Sequence, residues 1–365
     1  MPTSQADRLR QSEARYRATA AQEDRHRLDQ ATHLPLVQYA REIVRQTDGD
    51  RALDLSDSEI LVRWGAIANF DDLDTRIQTA ILGGFNAAAD SLAGVYQESA
   101  LPNHLAHQLA TVTQPAAPLR VGRGSAAPEL QLAIEAETWN LFRVGLNFEI
   151  TEEDLLDSGT TFDVMTMVYR EIGSSFRRVV LDALWGCLLS NPTLADGDAI
   201  FSVTRSNLGT AALASGPLRI GWGAIAGQVQ QITPDATVYA HSNLRPSVLI
   251  VPPSLVVTAF QMMDGPPAGS APLLEVRGES RLSSSGFLDP ADDTIRSGNA
   301  TNWLLAAKAT EAPGIVLGTL GGKREPTVRS YALRSGRWGR GYDAWLALGV
   351  KAVSGSPFYW STGTG

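Results

Sequence analysis

Residues 129–154, ELQLAIEAETWNLFRVGLNFEITEED, are followed at 161–192 by TFDVMTMVYREIGSSFRRVVLDALWGCLLSNP, and the change of period between the two stretches decides the fold. In the first stretch Leu130, Leu132 and Ile134 face one way while Glu129, Gln131, Glu135 and Glu137 face the other. Phe142, Val144, Leu146, Phe148 and Ile150 then lie opposite Arg143, Asn147 and Glu149. A period of two belongs to strands with one buried face, so the pattern predicts two strands forming an extended ribbon over 117–150. Gly122 and Gly124, in VGRGSAAP (121–128), give that ribbon a flexible tip.

The ribbon stops at Thr151-Glu152-Glu153-Asp154, whose hydroxyl and carboxylates suit a helix N-terminus. Phe162, Met165, Tyr169, Ile172, Phe176, Val179, Ala183 and Cys187 then recur at three- and four-residue steps until Asn191-Pro192 ends the run. At 1.5 Å per residue this helix is about 40 Å long, a strut.

Towards the N-terminus, Leu73, Ile77, Ile81 and Phe85 mark one face of another helix, preceded by helical spacing at Leu34 and Val37 and at Ile60, Leu61, Trp64 and Ile67. Residues 1–33 are rich in Arg, Gln, Glu and Ala and have little to bury, so they read as an arm that leans on a partner. Towards the C-terminus the pattern becomes mixed. A short helix is expected near 218–231, a strand at Val248–Val251, a helix from Ser254 to Met263, and strands at 273–277, 302–307, 314–320, 326–333 and 343–353. The class is α+β, with the parts interleaved along the chain.

Composition narrows the function. With 39 acidic against 31 basic residues, the net charge of −8 disfavours tight, sequence-independent binding of phosphate backbones. The one cysteine, Cys187, lies among Leu184, Trp185, Leu188 and Leu189 and reads as a small buried side chain. There is no run of 18 or more apolar residues and no apolar stretch of the kind a secretory signal needs at the N-terminus, so the chain reads as soluble and cytosolic when made. The lysines are Lys308, Lys323 and Lys351; the other basic residues are arginine, suited to bidentate pairing with carboxylates.

Candidate chemistry is thin. GTLGGKRE (318–325) fails the spacing of a phosphate loop, since Leu317 stands where the first glycine belongs and Arg324 replaces the hydroxyl residue. His104 and His107 have no cysteine or acidic partner nearby to complete a zinc site, and Asp196, Asp198, Asp289, Asp292 and Asp293 read as turn residues. No nucleophile elbow surrounds any serine. No catalytic residue, cofactor or metal is expected. Trp338, Tyr342, Trp345, Phe358, Tyr359 and Trp360 are either anchors of a subunit interface or ordinary core.

LRPSVLIVPPSLVVTAFQMM (244–263) resembles the strand, Pro-Pro, helix element of tailed-phage major capsid proteins, in the branch related to prohead protease fusions. NPTLADGDAIFSVTRSNLGTAAL (191–213) is similar to the stretch that follows the long helix in that family, and GGKREPTVRS (321–330) with YDAWLALGVKAVSG (342–355) to its closing strands. The resemblance covers roughly 70–350 and implies the Hong Kong 97 phage fold. On that reading the chain divides into an N-terminal arm (1–33), a helical region (34–116), the extended loop (117–150), a peripheral domain with the spine helix (151–232), an axial domain (233–313) and returning peripheral strands (314–365). It further implies a subunit that assembles with itself as hexamers and pentamers into an icosahedral shell around double-stranded DNA. Portal, scaffolding or protease and decoration proteins would be its partners, and the host cytoplasm its place of assembly. Arg120, Arg123 and Arg143, set against Glu129, Glu135 and Glu137, are the candidate inter-subunit ion pairs, because a protruding ribbon cannot bury both faces on its own chain. The stretch 117–150 has no lysine, which excludes self-crosslinking through a lysine of this loop. The alternatives are an encapsulin-like cargo compartment and, from another class, a hydrolase with a dispersed active site.

Overall fold

A computed structural model of the chain describes residues 41, 45, 71–112, 134–151, 162–194, 197–231, 239–241, 243–264, 274–283, 285–332 and 339–364. The helices of the described residues are α1 (Asp71–Ala87), α2 (Phe162–Ser190), α3 (Ser215–Ala226) and α4 (Val256–Asp264). The strands begin with β1 (Tyr96–Leu101), β2 (His107–Val112), β3 (Ile134–Trp139), β4 (Phe142–Thr151), β5 (Leu208–Gly209), β6 (Val229–Gln231), β7 (Tyr239–His241) and β8 (Pro246–Val251). They continue with β9 (Glu275–Gly278), β10 (Phe287–Asp289), β11 (Thr294–Arg296), β12 (Trp303–Ala307), β13 (Ile315–Leu320), β14 (Thr327–Ala332), β15 (Gly339–Ala352) and β16 (Phe358–Ser361). Two compact units are built from these elements: one from Met1–Ala87, Leu146–Ser174 and Thr327–Ala344, the other from Ala88–Gly145, Ser175–Pro326 and Trp345–Gly365.

In the first unit α1 buries Ile77, Ile81 and Phe85, the face its spacing predicts. It meets the start of α2 backbone to backbone. A Cβ on Gly173 would overlap the carbonyl of Ile81 and come within 2.8 Å of the Phe85 nitrogen, and one on Gly84 would overlap the backbone of Arg170. β14 and β4 both pair with β15. The alternation along β4 is as expected, with Phe142, Val144, Leu146, Phe148 and Ile150 less exposed than Arg143, Asn147 and Glu149. Phe148 stacks on Tyr342 at 5.1 Å between ring centroids and lies 5.7 Å from Tyr169. Tyr342 donates its hydroxyl to Asp74 at 2.8 Å, and Ser330 donates to the same carboxylate.

The second unit is centred on a five-stranded sheet in the order β5-β16-β12-β8-β9. β8, β12 and β16 are buried on both faces, which is why they read in sequence as unbroken apolar runs with no alternation. Leu249, Val251, Trp303, Leu305, Ala307 and Tyr359 line one face and are covered by α3 and α4. On the other face Phe201 packs against Phe358 and Trp360, at 6.3 and 5.3 Å. Pro252-Pro253 ends β8 and starts a turn of 3-10 helix that leads into α4, because proline suits the first helical position and cannot extend a ladder. β13 lies between β1, which is parallel to it, and the 348–352 portion of β15, which is antiparallel.

The stretch 191–213 is held by two asparagines. Asn191 ends α2 in the left-handed region (φ 47) and bridges the backbone of Phe201 through both amide atoms, at 2.8 and 3.0 Å. Asn207 is fully buried; it accepts from the Ser202 amide and donates to the carbonyls of Ile200 and Gly355.

The structure corrects the ribbon. β3 pairs antiparallel with β2, from Ile134↔Val112 to Trp139↔His107, while β4 leaves it for the sheet of β15. The two strands read as one hairpin are therefore parted at Asn140-Leu141, since the core claims the apolar face of β4. The C-terminal strand β16 joins the β12 and β8 sheet, although its place in the chain sets it among the closing strands. Of the helices expected before residue 70, only Arg41 and Arg45 are among the described residues, both helical.

Candidate subunit interface

The ribbon β2/β3 is a two-stranded sheet with no third strand at either edge among the described residues. A lone two-stranded ribbon is marginal in water, so a surface that covers it adds stability. Of the ion-pair candidates, Arg120, Arg123 and Glu129 lie outside the described residues. Glu135 and Glu137 lie on β3, in register with Thr111 and Leu109 of β2. Arg143 lies on β4 and not on the ribbon; its guanidinium stands 4.5 Å from the centroid of the Trp345 ring. Glu135 and Glu137 thus fall on the ribbon strand β3 and Arg143 on β4.

Both ends of the ribbon leave the body at one apolar cluster, in which Leu101, Trp139 and Leu141 pack with Val316. Sequence reading passed over this root. Its signal was Gly318 within IVLGTL and Gly349 within WLALGV, since a glycine inside an apolar strand marks a close approach.

Beside β1, residues 88–96 are pinned to α2 and β9 by a polar network. Arg177 pairs with Asp90 at 2.5 Å, and Tyr96 donates its hydroxyl to the same carboxylate at 3.0 Å. Burial first, and the Asp90 charge second, push the Tyr96 hydroxyl up to about 12. Arg277 donates to the carbonyls of Ser91 and Ala93 at 3.0 and 2.7 Å, while Trp185 Nε1 donates to Ser91 Oγ, which itself donates to buried Glu279. Arg281 completes the network, bound to Glu279 at 3.1 Å and to Asp182 at 2.5 Å. Burial raises the pKa of Asp182 against the pull of Arg281.

Large apolar side chains stand exposed on the second unit. Leu288 and Ile295 face each other across the β10/β11 hairpin, 55% and 79% exposed, and Val257 and Phe260 lie one turn apart on α4. Of the late aromatics, Tyr342, Phe358, Tyr359 and Trp360 are buried, Trp345 is half-buried, and Trp338 lies outside the described residues.

Asp289 and Asp292 do the turn chemistry expected of them, while Asp196 lies outside the described residues. Asp289 accepts from the Ala291 amide and from Arg296, and Asp292 from the Thr294 amide. Gly321 and Gly322 form the turn after β13 with φ of 60 and 74. His107 bonds the Asn103 carbonyl at 2.9 Å. Burial pushes the Cys187 thiol up to about 12, which disfavours the thiolate at neutral pH. Among the described residues no cluster of three or more His, Cys, Asp or Glu side chains could hold a metal ion, and no helix is long and apolar enough to cross a membrane.

No curated protein matches the sequence. Among solved structures the chain is similar to one from Microbacterium phage Oxtober96, at 13% identity over 76% of this chain and 91% of that one, with a TM-score of 0.43. It is similar also to the capsid of cyanophage P-SCSP1u (10% identity, 75% and 88% covered, TM-score 0.46) and to a virus-like particle from Pyrococcus furiosus (10%, 79% and 98%, 0.42). The sequence pattern of the family described as phage capsid protein matches residues 135–360, from the ribbon strand β3 through the long helix to the C-terminal strand β16. That match spans more than half of the chain, and the chain therefore belongs to the phage capsid protein family.

Proposed function

We propose that this chain is the major head subunit of a tailed phage, with the Hong Kong 97 fold, and that copies of it close as hexamers and pentamers into an icosahedral shell around double-stranded DNA. The family match over 135–360 carries the reading. Supporting it is the ribbon β2/β3, which has no third strand to cover it among the described residues. Rings follow from heterologous contacts, in which one surface of a copy meets a different surface of the next. The role is structural, without catalysis. Portal, scaffolding or protease and decoration proteins are its expected partners, and the host cytoplasm its site of assembly. A net charge of −8 suits a wall that contains DNA without gripping it.

Negative-stain microscopy of the expressed chain tests the proposal. Rings, sheets or closed shells are the expected outcome; a compact monomer at high concentration, with no assemblies under any salt condition, overturns it. The contents of native particles separate a phage head from an encapsulin-like compartment, since packaged DNA belongs to the first and a cargo enzyme to the second.

A further inference from the structure

The ribbon joins the body through a slot shaped for one ring. Gly318 and Gly349 are direct partners in the antiparallel register of β13 and β15, so two residues without side chains fall side by side. Trp139, the last residue of β3, lies over both. A Cβ on Gly349 would stand 2.5 Å from Trp139 Nε1 and 2.5 Å from the Asn140 carbonyl oxygen. One on Gly318 would overlap the six-membered ring of Trp139 and come within 2.9 Å of Leu101 Cδ1. Trp139 is 3% exposed, yet its indole N–H has no hydrogen-bond partner among the described residues. The ring is held there by shape, and not by its polar handle.

The position of the slot matters as much as its fit. Leu101 ends β1 just before the ribbon begins, Trp139 ends the ribbon, and Leu141 precedes β4; all three belong to one cluster with Val316. Trp139 therefore sits on β13 and β15 at the point where β3 leaves the body. β13 is itself held between β1 and β15, which makes the slot a stiff support.

We propose that Trp139, seated over Gly318 and Gly349, is the positioning residue of the ribbon, setting its direction of projection and hence where it meets the next copy. This rests on the reading above that the ribbon reaches a neighbouring copy. Filling or emptying the slot misdirects the ribbon and slows assembly while the body of the subunit stays folded.

Full-length Gly349→Ala, Trp139→Ala and Trp139→Phe chains test it, beside a tip variant carrying Arg120→Glu and Arg123→Glu. Circular dichroism and the unfolding midpoint report the body, amide hydrogen exchange over 107–112 and 134–139 reports the ribbon, and light scattering reports assembly. Gly349→Ala and Trp139→Ala are expected to keep the body's dichroism, to lose ribbon protection by about tenfold, and to assemble about tenfold more slowly. Trp139→Phe, which keeps a flat ring and drops the unpaired N–H, is expected to restore assembly to within about twofold of wild type. Wild-type assembly by Trp139→Ala overturns the proposal, as does a Trp139→Phe chain no better than Trp139→Ala. Should Gly349→Ala fail to fold, Trp139→Ala, which introduces no overlap, decides the matter. A tip variant that assembles normally removes the ribbon's inter-subunit role itself; a slow tip variant beside a normal Trp139→Ala removes only the positioning role.

Discussion

Gly83 and Gly84 are neighbours in α1 with opposite surroundings. Gly83 is exposed and a Cβ there meets nothing within 4 Å, whereas Gly84 is buried against the backbone of Arg170. Gly84→Ala is expected to lower stability by about 1–3 kcal/mol, because backbone cannot give way as a side chain can. Gly83→Ala is expected to raise it by up to about 1 kcal/mol, the difference in helix propensity. Urea unfolding of the pair checks both signs. Arginine positions divide in the same way. Arg281, 13% exposed, neutralises Glu279 and Asp182, so Arg281→Met strands buried charge and is expected to cost about 3–5 kcal/mol. Arg324 is largely exposed beside Glu98, and Arg324→Ala is expected to cost under about 1 kcal/mol in the same titration. Tyr96 adds a pH dependence. Its hydroxyl ionises at about 12 when folded and near 10 when unfolded, so the folded chain keeps a proton that the unfolded chain gives up in between. Its contribution is complete below pH 10 and lost as pH rises to 12; Tyr96→Phe is expected to flatten the fall of the urea midpoint across that window. Tyr342 and Cys187, both pushed up by burial, act with the same sign, so part of the slope remains.

At the scale of elements, what was legible in the sequence follows from how each element buries itself. The helix α2 satisfies its ladder internally and shows its buried face at a fixed period, so the spacing from Phe162 to Cys187 and the stop at Asn191-Pro192 located it to within a few residues. The central strands β8, β12 and β13 are covered on both faces, and a short apolar run bounded by Pro or Gly suffices to mark them. Pairing was another matter. The alternation in 129–150 correctly marked β3 and β4 as strands, but which strand lies beside which depends on contacts far along the chain. Phe148 finds Tyr342 and Tyr169, so β4 belongs to the body, and HQLATV (107–112), whose own alternation is weak, takes its place beside β3. The Trp139 slot was hidden for the same reason, because Gly318 and Gly349 meet only through the register of β13 on β15. At the end of α2, Asn191→Ala removes a left-handed cap and both bonds to Phe201, and is expected to lower stability by about 2 kcal/mol in urea unfolding.

For the molecule as a whole, charge and assembly set the expectations. The excess of carboxylates predicts that the dissociated subunit leaves duplex DNA unretarded in a gel-shift assay at about 0.15 M salt, where weak phosphate contacts are screened. A stable complex under that condition contradicts the picture of an indifferent wall. A shell repeats each contact across every copy, so small changes at the root of the ribbon are expected to add up over a particle. Cys187 has a practical consequence. Because burial makes the one native thiol reluctant to ionise, a maleimide dye at neutral pH is expected to react faster with a cysteine placed in the exposed turn by Lys323→Cys. Fluorophores, antigens or catalysts can then be attached at a chosen point on the subunit.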